Sequence, residues 1–179
     1  MKTTYKLVLS AMFLAIGIIL PFFTGQIPQI GNLLLPMHFT IFLCTFICGW
    51  QYGTAVGVML PLLRSFMFGA PVFFPNAISM AFELCVYGLI AGIIYQSIKN
   101  KNILSVYTSM ITAMICGRVV WGIAQLILLG IKSEAFTLQM FFTAAFVNAI
   151  PGILLQLILI PPIISALNLK TRKQNNNEY

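Results

Sequence analysis

The chain has 179 residues, 60% of them hydrophobic and 7% charged, with a formal net charge of +7. An ordinary globular domain is about one-quarter charged, so a water-soluble fold of this length would have too few polar groups to cover its surface. Its apolar residues must face lipid, which makes the chain an all-α integral membrane protein with room for about six spans of about 20 residues and no separate soluble domain.

The first apolar segment covers Tyr5 to Phe23. It outlasts the apolar core of a signal peptide and has no small-residue cleavage pattern before Pro21, so it is read as a span. Thr24 to Asn32 is a charge-free loop punctuated by Gly and Pro. The second segment, Pro36 to Cys48, is short, and a turn at Gly49 to Gly53 leads into the third, Tyr52 to Phe68. One continuous helix through both glycines would exceed any bilayer, so two helices are expected. A turn over Gly69 to Pro75 precedes the fourth segment, Asn76 to Ile98; the fifth runs from Ile103 to Leu129 and the sixth from Thr137 to Leu167. These make one membrane domain over residues 1–169, followed by a polar tail, Lys170 to Tyr179, expected to be disordered. The segments are continuously apolar, whereas membrane strands alternate over about ten residues, so helices and not a barrel are predicted.

Lys and Arg gather at the two ends and in one middle loop. No basic face could track phosphates, so no nucleic-acid partner is expected. With six spans and the N-terminus inside, Lys2, Lys6, Lys99, Lys101, Lys170, Arg172 and Lys173 are cytoplasmic, and only Lys132, offset by Glu134, lies opposite. That asymmetry places both termini on the cytoplasmic side. Cys44 and Cys48 are four apart on one predicted helix, but no His or acid lies within a turn of either, and they read as small apolar packing residues; no metal site and no cofactor is expected.

His38, Arg64, Glu83 and Arg118 are ionisable residues inside the predicted spans. A charge near the bilayer centre costs about 2.5–3.5 kcal/mol on insertion scales, so each should face the bundle interior and have a partner or a function. Their positions put all four between the outer surface and the midplane, which points to one outward-facing cavity. Helical spacing extends it: Asn76, Ser79, Glu83 and Tyr87 share a face of the fourth segment, and Arg118, Trp121 and Gln125 a face of the fifth. Asn148 and Gln156 are eight apart on the sixth, with Gly152 between them. Pro61 and Pro151 stand where a proline frees backbone carbonyls toward a cavity. Simpler readings stand beside these. Glu83 with Arg118 or Arg64 is also what a structural ion pair would look like, His38 an interfacial residue met by water, Trp121 packing, and Asn148 an interhelical hydrogen bond. The candidate substrate-binding residues are His38, Arg64, Asn76, Glu83, Arg118, Trp121, Gln125 and Asn148, and two arginines against one glutamate favour an anionic group on the ligand. Gly49, Gly53 and Gly57, like Gly88 and Gly92, repeat every four residues and mark close helix packing; Ala11 and Ala15 form a further small pair.

The chain has no Asp, no P-loop signature and no Ser–His–acid set, so an enzyme is not expected. Leu34-Leu-Pro-Met-His38, Cys48-Gly-Trp-Gln-Tyr-Gly53, Pro61-Leu-Leu-Arg-Ser65, Ala81-Phe-Glu83, Gly117-Arg-Val-Val-Trp-Gly122 and Asn148-Ala-Ile-Pro-Gly152 carry a likeness over almost the whole chain. With them it resembles the substrate-binding S-components of energy-coupling factor (ECF) vitamin transporters of bacteria. The resemblance implies a six-helix S-component fold in the bacterial plasma membrane that takes a water-soluble vitamin from outside beneath the loop Thr24 to Asn32. It implies docking on an ECF membrane coupling subunit driven by two ABC-type ATPase subunits, with Ala11 and Ala15 as the docking pair, and a toppling motion that carries substrate inward. The cationic bias suggests a carboxylate such as pantothenate, with riboflavin the next reading. A self-sufficient small-solute transporter or channel, or a membrane enzyme acting on lipid or an isoprenoid, are the rival classes.

Overall fold

The computed structural model describes residues 3–25, 34–131 and 137–176. Every regular element among them is helical: α1 (Thr3–Gly25), α2 (Pro36–Cys48), α3 (Trp50–Phe68), α4 (Ile78–Ser97), α5 (Ile103–Ile131), α6 (Leu138–Phe142) and α7 (Ile150–Asn176). Four stretches, Thr3–Gly25, Phe73–Ser97, Ile103–Ile131 and Leu138–Leu167, are each long and apolar enough to cross a membrane. Side chains such as Phe66, Leu104, Ile131 and Leu138 stand outward with most of their surface bare. An apolar exterior of that extent is what lipid solvates and water does not.

The helices alternate in direction. Gly49, between α2 and α3, lies beside Gln96 near the end of α4. At the opposite end Pro21 and Thr24 of α1, Pro36 of α2, Pro71 after α3 and Met80 of α4 surround one cavity. Lys6, Lys99 and Lys101 therefore share the Gly49 end of the bundle. The gate expected over Thr24 to Asn32 lies almost wholly outside the described residues, as do Lys132 and Glu134.

Two helices do replace one at residues 36–68, and the joint is a single residue. Gly49 has φ 109° and ψ 164°, a backbone that only glycine adopts without strain, so α3 begins at Trp50, two residues earlier than expected. This reversal lets α2 lie inside the bundle. Eight of its 13 residues are buried, Cys44 and Cys48 among them, which is why a helix of only about four turns is retained there. The repeated glycines set the spacing of α3 and α4. A methyl group on Gly57 would come within 2.5 Å of the Leu84 carbonyl oxygen, and one on Gly88 within 2.5 Å of the Thr54 nitrogen. The two backbones touch where side chains would otherwise hold them apart.

The sixth segment is not the continuous helix that hydropathy suggests. It divides into α6, a wide π turn over Thr143–Val147, and α7. Asn148 N–H reaches back to the Thr143 carbonyl at 2.9 Å. Pro151 has no N–H to offer the carbonyl of Val147, so the helix restarts at Ile150 with Pro151 in its first turn, where no N–H is needed. At the other end α7 continues to Asn176, past Lys170, where disorder was expected to begin. Leu169 to Gln174 contains no glycine or proline to stop it.

Candidate functional site

The largest buried polar cluster is centred on Glu83, whose residue is 1% exposed. Its Oε1 lies 3.1 Å from Arg118 Nη1 and 3.4 Å from His38 Nε2, and accepts a hydrogen bond from the Tyr87 hydroxyl at 3.1 Å. Three helices meet at one carboxylate oxygen: α2 brings His38, α4 brings Glu83 with Tyr87 one turn on, and α5 brings Arg118. Gly117 makes room for this, because the Tyr87 ring occupies the space a side chain there would need. The Tyr87 ring stacks on Phe42 at 5.1 Å between centroids and meets His38 edge-on at 5.4 Å. The carboxylate thus rests on an aromatic floor that excludes water from below.

A second polar group lies further along α5. Gln125 Nε2 donates to Asn76 Oδ1 at 3.2 Å and to Ser79 Oγ at 3.1 Å. Asn76, Gln125, Trp121 and Asn148 line a cavity of about 510 Å³ with Gln139 and Thr143. Its wall includes the broken stretch before α7, so the π turn at Thr143–Val147 is also where backbone polar groups face a hollow instead of lipid. Trp121 stacks on Phe141 with ring centroids 6.2 Å apart.

Arg64 stands apart from both groups. Together with His38 it lines a cavity of about 270 Å³ closed by the end of α1, the start of α2 and the chain after α3. Its guanidinium lies 5.2 Å from the centroid of the Phe22 ring and pairs with no carboxylate among the described residues. Among the described residues the candidates divide between two cavities, with His38 on one and the Glu83–Arg118 pair buried behind it. Of the two arginines that could have met Glu83, the partner is Arg118. Arg64 shares the face of α3 that carries Gly57, but Gly57 packs at Leu84, beside Glu83, and Arg64 lies two turns, about 10 Å, nearer the cavity end of the helix.

Four contributors were not among the sequence candidates. Tyr87 already lay on the polar face of the fourth segment, but its apolar ring did not mark it. Gln139 and Thr143 fall where a continuous helix was expected, and only the break turns them inward. Gln156 was paired with Asn148 by spacing, yet an uncharged amide in an apolar helix carries little signal. Ala11 and Ala15 are both exposed on α1, while Ser10 and Gly17 of the same helix are buried.

A helical bundle with an apolar exterior, a buried layer of paired charges and amide-lined hollows at one end is a membrane-embedded protein made to hold a small polar solute. The family model for the ECF transporter substrate-specific component matches residues 5–164, and the chain belongs to that family. No curated protein and no solved structure was found to match it. As a member it is a substrate-binding component for transport across a membrane, and not an enzyme; the family works with a small-molecule substrate and with ECF membrane and ATPase modules.

Proposed function

We propose that this chain captures a water-soluble vitamin or related micronutrient from outside the bacterial plasma membrane and releases it inward when an ECF coupling subunit and two ABC-type ATPases act on it. The observation that carries the reading is the Glu83–His38–Arg118 cluster between two cavities at the end of the bundle away from Lys6, Lys99 and Lys101. By the positive-inside rule those lysines mark the cytoplasmic end, so the cavities open outward and both termini lie inside a six-span arrangement. His38, Arg64, Asn76, Glu83, Arg118, Trp121, Gln125 and Asn148 form the substrate site, and Ala11 with Ala15 the docking stripe.

Charge supports an anionic group at one end of the substrate. Arg118 is neutralised by Glu83, which leaves Arg64 at a cavity wall with no acidic partner among the described residues. A carboxylate such as that of pantothenate would compensate it. Trp121, which lines the larger cavity and stacks on Phe141, favours a planar ring as the second reading, as in riboflavin. Uptake of radiolabelled pantothenate and riboflavin into vesicles tests both. Accumulation is expected only when the coupling subunit, both ATPases and ATP are present, and uptake by the chain alone would replace this reading with that of a self-sufficient transporter.

A further inference from the structure

On four helices the apolar core gives way to a polar residue at the same step. His38 stands four residues from Phe42 on α2, Glu83 four from Tyr87 on α4, Arg118 four from Met114 on α5 and Gln156 four from Ile160 on α7. Phe42, Tyr87, Met114 and Ile160 belong to one continuous core. Because α5 runs opposite to the other three, all four steps lead toward the end of the bundle that holds the cavities. Each of the four polar residues therefore lies about one turn nearer the cavities than the core residue beside it, which gives the core a polar layer on that side. Three of them meet at Glu83.

Gln156 does not join them. It is 1% exposed, and neither its Nε2 nor its Oε1 has a hydrogen-bond partner among the described residues. Nε and Nη2 of Arg118 and Nδ1 of His38 are in the same condition. A buried amide with neither end paired is destabilising, and native proteins keep such groups where a ligand or reaction uses them.

We propose that Gln156 contacts the substrate and receives a neutral part of it that carries a donor beside an acceptor, such as a carboxamide, lactam or imide edge. The inference rests on the solute-binding reading above and adds which chemistry enters the deepest layer. A side-chain amide presents one acceptor and two donors in a plane, which an N–H next to a C=O complements. The free Nε and Nη2 of Arg118 are donors for a further oxygen of the same group. An anion does not suit this layer. Glu83 and Arg118 already cancel, Gln156 adds no positive charge, and a second carboxylate would be buried without compensation. The anionic end belongs at Arg64 and the neutral end at Gln156.

The test uses the full chain, expressed in cells grown on yeast extract, purified in detergent and examined by native mass spectrometry for bound small molecules from that medium. Wild type is compared with Gln156→Met and Gln156→Leu, and with Ile158→Leu on the exposed face of α7. Wild type and Ile158→Leu are expected to carry the same adduct, and both Gln156 variants to carry it at roughly one-tenth of that level or less. After the adduct is dialysed away, the Gln156 variants are expected to melt at the wild-type temperature or above it, since they lose an unpaired amide. Wild-type adduct levels in either folded Gln156 variant overturn this inference alone. A lowered melting temperature in both variants also overturns it, because the amide would then have a partner inside the bundle. A wild type without any adduct removes the solute-binding reading and this inference with it.

Discussion

Glu83 and Arg118 are both nearly inaccessible, so the pair must be judged by what either member does alone. Removing one partner of a buried pair leaves an uncompensated charge and typically costs about 3–5 kcal/mol. Arg118→Ala is therefore expected to destabilise the protein by about that amount and to weaken substrate binding. Replacing both members, as Glu83→Gln with Arg118→Met, should recover much of the stability but not the binding. Thermal unfolding of the three variants in detergent, with bound small molecule read on each, separates the two contributions. Arg64 should behave differently. It lines a cavity and pairs with no acid among the described residues, so Arg64→Gln is expected to leave the melting temperature within a degree or two and to lower the affinity for a carboxylate-bearing vitamin roughly tenfold. Equal affinity in a pantothenate titration would place the anionic group elsewhere. At this scale the sequence was most readable where charge stood in lipid: depth grouped His38, Arg64, Glu83 and Arg118, but left open which arginine Glu83 meets. Gln156 could not be grouped with them, because an amide costs too little in an apolar helix to announce itself.

The elements were legible as far as hydropathy and glycine spacing reach. The joint at Gly49 and the close packing of α3 on α4 follow from repeated glycines, whereas the break before α7 depends on Pro151 acting through carbonyls one turn earlier. The level of Arg64 relative to Glu83 was not legible, since it depends on which residue of α4 Gly57 meets. This gives Gly88 and Gly57 a measurable role. The atoms nearest to a side chain at Gly88 are backbone atoms of Gly53 and Thr54, which cannot rotate away. Gly88→Val is expected to force α3 and α4 apart, to cost about 1–3 kcal/mol or more, and to displace Glu83 from His38. Gly25→Ala, where nothing among the described residues lies within 4 Å, provides the comparison and should be neutral. If Gly88→Val melted with the wild type, backbone contact would not be what sets the width of the site.

For the molecule as a whole, the two ends of the bundle differ in kind. One holds the buried polar layer and both polar cavities; the other carries Lys6, Lys99 and Lys101, and Lys101 rests over the Tyr95 ring at 5.2 Å. In the proposed ECF arrangement the coupling subunit acts on this chain from its lipid-facing surface, and α1 is the helix proposed to receive it. Only Ser10 and Gly17 of α1 are buried, with Gly17 pressed against Leu60 and Thr40. Ala11 and Ala15 lie one turn apart on a neighbouring stripe and are exposed. Small exposed residues on a membrane helix let a second helix approach closely, and Ala11 and Ala15 stand on the exposed side of α1. Ala11→Trp is therefore expected to leave folding and substrate binding at wild-type levels. Against the ECF module it should act as a wedge, holding a partner helix several ångströms away and abolishing ATP-driven uptake. The measurement is paired: bound vitamin per purified chain, and uptake into vesicles containing the complete transporter. Intact uptake by Ala11→Trp would move the docking surface off this stripe, whereas loss of binding together with uptake would mean that α1 supports the site and not the partner.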